Sequence, residues 1–117
     1  MPGVLVVDDE REITQFIGGA LEDEGYAVST AADGQQAVDL VAQDRPDLIV
    51  LDMMLPRLNG DEVAAEVRRM HGEVPILLIT ADGRADEKAR RVGAFDFLSK
   101  PFDLNRLLDI VRGKLQP

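Results

Sequence analysis

The sequence contains no cysteine and only one histidine, His71. Without thiols there can be no disulfide framework and no thiolate metal site, so a bound metal would need oxygen ligands or this one imidazole. His71 falls between a predicted helix and a turn with no second ligand near it in the sequence, and we expect an ordinary surface residue there. The composition therefore favours a hard cation for any metal site.

Long apolar stretches are also missing. The longest runs, Leu48 to Leu51 and Ile76 to Ile79, are far too short to cross a bilayer. The chain does not open with a charged segment followed by an apolar one, as a secretion signal would. We therefore expect a soluble cytoplasmic protein with no membrane partner.

Positive charge is scarce, since 13 Lys and Arg residues stand against 22 Asp and Glu residues, for a net charge of -9. Proteins grip nucleic-acid phosphates with clustered Lys and Arg, so this segment by itself should not bind nucleic acid. The acidity alone is weak evidence for a metal site, because excess negative charge also keeps proteins in solution.

The 117 residues are 45% hydrophobic, which is enough for one core. We see no linker, repeat or low-complexity stretch, and we expect residues 1–117 to form a single domain. That domain is either a complete protein or the N-terminal part of a longer chain.

Short apolar runs alternate with amphipathic helical patterns along the sequence. The clearest helical pattern places apolar residues at the i, i+3, i+4, i+7 spacing of one buried face. The fourth pattern, from Arg84 to Val92, has only three apolar residues, and we expect that helix to be loosely held. The predicted strands are Val4–Val7, Tyr26–Thr30, Leu48–Leu51, Ile76–Ile79 and Phe95–Leu98. The predicted helices carry the apolar sets Ile13, Phe16, Ile17, Ala20, Leu21; Ala37, Leu40, Val41; Val63, Ala64, Val67; Ala85, Ala89, Val92; and Leu104, Leu107, Leu108, Val111, Leu115.

The first, third and fourth strands are almost continuously apolar, which indicates burial on both faces. Strands and helices that alternate in this way predict an α/β fold, (βα)5, with an open doubly wound parallel sheet and helices on both of its faces.

Ligands bind to such sheets beyond the carboxyl ends of the strands, so the residues that follow each strand are the candidates for a functional site. Each polar residue there has an ordinary explanation, since Asp and Thr cap helices and form turns and most lysines are solvated. The polar residues in question are Asp8, Asp9, Asp52, Thr80 and Lys100.

If these strand ends are neighbours, three carboxylates, a hydroxyl and an ammonium group share one pocket. Crowded carboxylates repel each other unless some are protonated or a cation neutralises them, and an oxygen-rich site suits Mg²⁺. A metal beside a nucleophilic carboxylate is what phosphoryl transfer to aspartate requires. We therefore predict a phosphate-accepting pocket.

From Val4 to about Leu115 the chain resembles the receiver domains of two-component response regulators. This resemblance implies the flavodoxin-like strand order 2-1-3-4-5 and a phosphorylation-dependent signalling switch. The phosphoryl group would come from a sensor histidine kinase or a phosphotransfer protein, and the domain would catalyse only its own phosphorylation and dephosphorylation. The motifs that carry the resemblance are Val6-Val7-Asp8-Asp9-Glu10, Leu51-Asp52-Met53-Met54-Leu55-Pro56, Asn59-Gly60, Ile79-Thr80-Ala81 and Lys100-Pro101-Phe102.

By the same resemblance, Asp52 is the phosphoacceptor. The metal, Mg²⁺ or Mn²⁺, would be held by Asp52, by Asp9 directly, by Asp8 largely through water, and by the backbone carbonyl of Met54. Met54 and Asp82 occupy positions that vary in the family, and they would tune the lifetime of the phosphoryl group. As a further hypothesis, Asp82 repels anionic donors or orients the hydrolytic water.

The resemblance also implies that Thr80, the backbone of Ala81 and Lys100 hold the phosphoryl oxygens. Phe97 would be the switch aromatic, which turns inward when the threonine moves, although an ordinary core residue is an equal alternative. Pro101 would follow a cis peptide bond. The output domain or partner protein would bind the face formed by Arg84 to Val92, Phe95 to Leu98 and Asp103 to Leu115.

Three other functions compete with this interpretation. An aspartate-nucleophile phosphatase would need a second acid–base carboxylate, but no Asp-x-Asp follows any strand. A flavin- or nucleotide-binding module would need a Gly or Ser/Thr cradle after the first strand, where this chain has two acids. A pseudo-receiver that uses only its protein surface would not need the complete set of five polar residues.

Overall fold

The computed structural model describes residues 1–81 and 83–116, in which five strands alternate with five helices. None of the helices in this part of the chain is long and apolar enough to cross a membrane. The elements are β1 (Gly3–Val7), α1 (Arg11–Asp23), β2 (Ala27–Ala31), α2 (Gly34–Gln43), β3 (Leu48–Asp52), α3 (Gly60–His71), β4 (Ile76–Thr80), α4 (Ala85–Val92), β5 (Asp96–Ser99) and α5 (Leu104–Leu115).

The five strands form one parallel sheet in the order β2-β1-β3-β4-β5. The predicted fold class and strand order are therefore confirmed, and each predicted strand lies within one residue of the observed one. The register pairs Val7 with Leu51, Asp52 with Ile79 and Thr80 with Ser99. The polar residues that end or directly follow these strands therefore lie together at the carboxyl ends of the strands.

Every residue of β3 and β4 is buried, as expected for strands that are covered on both faces. One apolar cluster packs α2, α3 and α4 on one face of the sheet, and a second packs α1 and α5 on the other. Because alternate residues of a strand point to opposite faces, the near-continuous apolar strands supply both clusters.

The predicted buried face of α1 is wrong in part. Phe16 is 55% exposed, whereas Thr14 and Gly18 are buried together with Ile17 and Leu21. The buried stripe does follow the i, i+3, i+4, i+7 spacing, but a threonine and a glycine occupy two of its positions. A Cβ on Gly18 would lie 3.4 Å from Val28 Cγ1, so the small residue lets the helix lie close to β2.

Helix α4 buries only Ala85, Ala89 and Val92, as the sparse apolar pattern predicted. Its N-cap residue, Arg84, has left-handed backbone angles and makes no side-chain capping hydrogen bond. By contrast, α3 begins with a complete capping box between Asn59 and Glu62, in which each side chain accepts from the other's backbone N–H. Helix α4 therefore has less local stabilisation than α3.

Two contacts tie the end of α4 to α3. The Arg91 guanidinium donates two hydrogen bonds to the Asp61 carboxylate, at 2.8 and 2.9 Å. Arg68 Nη2 donates to the carbonyl oxygen of Val92 at 3.3 Å. Both contacts involve residues of the last turn of α4, so they attach the C-terminal end of this helix to α3.

Candidate functional site

The segment that follows β1 is held in place by backbone hydrogen bonds. Asp8 N–H donates to the carbonyl of Ala31 on the neighbouring strand at 3.1 Å. The Asp8 carboxylate turns back and accepts from Glu10 N–H at 2.9 Å, which bends the chain into α1. Asp8 is completely buried, which is an unusual location for a carboxyl group.

Asp52 is the last residue of β3 and is 3% exposed. Its Oδ1 atom accepts a hydrogen bond from Met54 N–H at 3.2 Å, while Met53 N–H donates to the carbonyl of Ile79 on β4. The strand and the first residues of the following loop thus hold the carboxylate at the edge of the sheet.

Lys100 follows β5 and bridges the two buried carboxylates. Its Nζ atom lies 2.8 Å from Asp8 Oδ2 and 3.1 Å from Asp52 Oδ2, and Glu10 Oε1 is 3.3 Å away. The backbone of Lys100 is fixed because its N–H donates to the carbonyl of Thr80 at 2.8 Å. The Lys100–Pro101 peptide bond is cis, at the position where the sequence resemblance implied one.

Burial raises the pKa of Asp52, and the charge on Asp8 raises it further. The hydrogen bond from Met54 and the contact with Lys100 act in the opposite direction but do not outweigh burial. Burial by itself would lower the pKa of Lys100, yet its contacts with Asp8 and Asp52 raise that pKa above the ordinary lysine value. Lys100 is thus a permanent positive charge between two carboxylates, one of which is a better base than an ordinary aspartate.

The carboxylates of Asp8, Asp9 and Glu10 lie within 4.8 Å of one another, close enough to surround one cation. Asp8 Oδ2 lies 2.8 Å from the Lys100 ammonium and has no other hydrogen-bond partner among the described residues. Asp9 and Glu10 are exposed. A buried acceptor beside solvent-facing carboxylates fits a hard divalent cation that keeps several water ligands.

Glu10 is a site residue to which the sequence analysis gave no role. It contacts Lys100 and belongs to the acidic group after β1. The available signal was its place as the third consecutive acid after the strand, but the sequence does not show that this side chain turns towards Lys100.

The switch residues predicted from the sequence occupy different environments. Thr80 is completely buried at the end of β4, and Ala81 follows it at the surface. Phe97 is 39% exposed on β5, paired with Leu78, so the prediction of an ordinary core residue at this position is wrong. The side chain of Met54 is 64% exposed beside Asp52. Asp82 lies outside the described residues.

The loop that follows Asp52 rests on the start of α2. Gly34 N–H approaches the carbonyl of Pro56 at 3.4 Å, and a Cβ on Gly34 would lie 1.9 Å from the carbonyl oxygen of Leu58. Arg57 adopts left-handed backbone angles in this loop. Only a glycine leaves room for this approach, so Gly34 helps to set the loop that holds the Asp52 carboxylate.

His71 takes no part in the site, as expected. Its Nε2 atom is 2.8 Å from the carbonyl oxygen of Val41, so the side chain joins the ends of α3 and α2. A groove between β1, β2 and the end of α2 is lined by residues such as Leu40 and Asp47, and it lies at the opposite edge of the sheet. The charged cluster around Lys100 is therefore separate from this groove.

Comparison with known proteins agrees with this geometry. The family model described as the response regulator receiver domain matches residues 4–112. The response regulator MprA of Mycolicibacterium vanbaalenii is 44% identical over 97% of this chain, which corresponds to 50% of the relative. MprA of Mycobacterium avium is 43% identical with the same coverage. The chain thus spans about half the length of the curated relatives it matches.

Solved structures show the same arrangement of strands and helices. The chemotaxis protein CheY4 of Vibrio cholerae is 36% identical, with a TM-score of 0.89 over 98% of this chain and 99% of that one. NtrX of Brucella abortus, solved in complex with ATP, is also 36% identical, with a TM-score of 0.88 over 97% of this chain and 26% of that one. The likeness therefore extends both to a chain of this size and to part of a much longer one.

Proposed function

Because this chain belongs to the response regulator receiver family of two-component signalling proteins, we propose that it is a phosphorylation switch in which Asp52 accepts the phosphoryl group. The observation that carries the proposal is the position of Lys100, whose Nζ atom contacts both Asp52 and Asp8 at the carboxyl edge of the sheet. A buried carboxylate held against a permanent cation is equipped to accept an anionic group whose charge the cation then neutralises.

The transfer step requires Asp52 to be ionised, and Met54 N–H and Lys100 both stabilise its anion. A carboxylate oxygen of Asp52 forms a bond to phosphorus while the bond from phosphorus to the donor nitrogen or oxygen breaks. The leaving group keeps the electrons of that bond; a histidine nitrogen also takes a proton from solvent, whereas acetate leaves as the anion. The product is an acyl phosphate on Asp52, with its new negative charge beside Lys100.

We propose that Asp8, Asp9 and Asp52, together with the backbone carbonyl of Met54, hold Mg²⁺ or Mn²⁺ at this site. The buried Asp8 Oδ2 atom and the adjacent exposed carboxylate of Asp9 support the first two of these ligands, whereas Asp52 and the carbonyl of Met54 follow from the resemblance to the family. Such a cation would offset charge on the phosphoryl oxygens during transfer. Lys100 contributes a second positive charge that does not depend on metal binding.

The response to phosphorylation would begin at Thr80 and the backbone of Ala81, which lie at the end of β4 next to Lys100. The hydroxyl of Thr80 and the ammonium of Lys100 would gather to the new phosphoryl oxygens, and Phe97 would turn inward from its exposed position. Helix α4, with its three buried side chains, then shifts to a second arrangement. The altered face is made of α4, β5 and α5.

The donor would be a sensor histidine kinase or a phosphotransfer protein in the cytoplasm. We propose that residues 1–117 act as one receiver domain. Its changed face would bind either an output domain on the same polypeptide or a separate protein. The match to about half of the MprA relatives supports the first arrangement, and the full-length match to CheY4 supports the second.

Met54 and Asp82 would set how long the phosphoryl group lasts. The exposed thioether of Met54 stands beside the acceptor, where it would limit the approach of water. For Asp82 the proposal rests on the sequence resemblance alone. Decay of the phosphorylated protein should be faster in Met54→Ala than in wild type, and a change in neither phosphorylation nor decay in Asp82→Ala would refute a role for Asp82.

The test is intact-mass spectrometry after incubation with Mg²⁺ and acetyl phosphate. A gain of about 80 Da, the mass of one phosphoryl group, is expected for the wild type. The gain should vanish in Asp52→Asn and after addition of EDTA. If no adduct forms, transfer from a phosphorylated histidine kinase is tried next, and failure there as well would favour a pseudo-receiver.

A further inference from the structure

Glu10 approaches Lys100 from the solvent side of the site. Its side chain is 62% exposed, yet Glu10 Oε1 lies 3.3 Å from Lys100 Nζ. The backbone position is well defined, because Glu10 N–H donates to Asp8 Oδ1 and its carbonyl accepts from Ile13 and Thr14 in the first turn of α1. The reach of Glu10 to Lys100 is therefore a consequence of how β1 passes into α1.

Three carboxylates surround the Lys100 ammonium, which has three N–H donors. Two of them, on Asp8 and Asp52, are buried. The Glu10 contact is the longest of the three and the only one of the three made from an exposed side chain. An incoming phosphoryl oxygen that pairs with Lys100 must replace one of these contacts, and the exposed Glu10 carboxylate is the easiest to displace.

We propose that Glu10 is a specificity-determining residue that competes with the incoming phosphoryl group for Lys100, and so disfavours small anionic phosphodonors relative to protein donors. A small dianion has few contacts with which to offset the charge of Glu10 at the mouth of the site. A protein donor gains binding energy from its own interface with the domain and is less affected. This inference rests on the function proposed above.

The decisive variant is Glu10→Gln, compared with the wild type and with Glu12→Gln. Glu12 lies in the first turn of α1, where the same substitution removes one negative charge close to the site. Glu12 lies outside the acidic group of Asp8, Asp9 and Glu10, and Glu10 is not one of the metal ligands proposed above. Rates are measured by intact mass with two small donors of different charge, acetyl phosphate and phosphoramidate.

We expect Glu10→Gln to raise the second-order rate constant with acetyl phosphate by about fivefold at low salt, an effect that should shrink above roughly 0.5 M salt. The gain should be smaller with phosphoramidate, which carries less negative charge at neutral pH, and smaller again with a phosphorylated kinase. Glu12→Gln should stay within about twofold of the wild type for each donor. If Glu10 had only a structural role, the change in rate would not depend on the charge of the donor.

Glu10→Asp separates the two parts of the proposal. The shorter side chain keeps the charge but withdraws it from Lys100, so an intermediate rate supports direct competition for the ammonium. A Glu10→Asp rate equal to that of the wild type would mean that the carboxylate only repels the anionic donor through space. That result would refute direct competition for Lys100.

Mn²⁺ affinity, measured by electron paramagnetic resonance on unphosphorylated protein, tests whether Glu10 is instead a metal ligand. It should change less than about threefold in Glu10→Gln, whereas loss of a direct ligand would weaken it by tenfold or more.

The outcomes separate this inference from the proposed function. If the wild type reacts with neither small donors nor a kinase, the proposed function fails and this inference fails with it. The other outcome is that the wild type is phosphorylated on Asp52 while Glu10→Gln reacts with each small donor at the wild-type rate. In that case only the role of Glu10 is refuted.

Discussion

Lys100 Nζ lies 2.8 Å from Asp8 Oδ2, a contact that joins the residue after the fifth strand to the residue after the first. Asp8 is completely buried, and 13% of the Lys100 side chain is exposed, so water screens this ion pair poorly. The same ammonium touches Asp52, which means that one cation balances two buried acids from different strands. The stability of the site should therefore depend on this one residue.

Replacement of Lys100 by Ala should lower the free energy of unfolding at pH 7 by about 3 kcal/mol in metal-free buffer, because two buried carboxylates lose their shared cation. Mg²⁺ should restore more stability to the variant than to the wild type, since a bound cation neutralises the same oxygens. Urea denaturation with EDTA and with added Mg²⁺ measures both effects. Lys114→Ala is the matched control, since Lys114 is exposed and lies over the ring of Phe95, away from the buried carboxylates. Equal losses in the two variants would contradict the prediction.

Asp52→Asn should make the protein more stable at neutral pH. Because burial raises the pKa of Asp52, the folded state holds the Asp52 proton more tightly than the unfolded state does. Its stabilising contribution is present in full below pH 3.8, the ordinary pKa of aspartate, and is lost as the pH rises through the raised pKa. The ionised carboxylate is therefore unfavourable at pH 7.

Asparagine cannot ionise, so the variant should unfold at a higher temperature than the wild type at pH 7. Its free energy of unfolding should be larger by on the order of 1 kcal/mol. The difference should shrink as the pH is lowered to about 4. Thermal melts across this pH range provide the measurement, with Asp39→Asn on the exposed face of α2 as the control for a simple loss of charge. A gain that does not depend on pH would show that the raised pKa is not its cause.

Two glycine substitutions should have opposite effects. In Gly34→Ala the new methyl group would lie 1.9 Å from the backbone carbonyl oxygen of Leu58, and we expect a loss of about 3 kcal/mol as the loop is displaced. In Gly19→Ala nothing lies within 4 Å of the new methyl group, and α1 should gain roughly 0.5 to 1 kcal/mol from the better helix former. Chemical denaturation of both variants checks the contrast, and a neutral Gly34→Ala would mean that the loop yields easily.

Amide hydrogen exchange should be faster in α4 than in α3. Helix α4 is eight residues long and lacks a side-chain N-cap, whereas α3 is longer and begins with a capping box. Arg91→Ala removes the bidentate contact with Asp61 and should speed exchange in α4 further while α3 serves as the internal reference. Uniform protection across the two helices would argue against α4 as the element that shifts.

The sequence by itself determined the order of the elements and the class of fold. The strands β3 and β4 can be recognised in the sequence because a strand that is covered on both faces has nearly continuous apolar residues. The acids after β1 and β3 and the lysine after β5 were likewise visible as polar residues at strand ends. Their role could be assigned only from the resemblance to a family, because the periodicity of apolar residues does not reveal the strand order and so does not show that these residues meet.

Tertiary structure decided which of those groups touch. That Lys100 contacts Asp8, Asp52 and Glu10 together depends on three strands that are distant in the chain, and no local pattern encodes their spacing. The same holds for Phe16, which the apolar spacing predicted to be buried but which is 55% exposed in the structure. Gly18 lies close to β2 and takes the buried position on this face of α1. Local sequence sets which faces are apolar, but long-range packing sets the rotation of each helix and the partner of each buried charge.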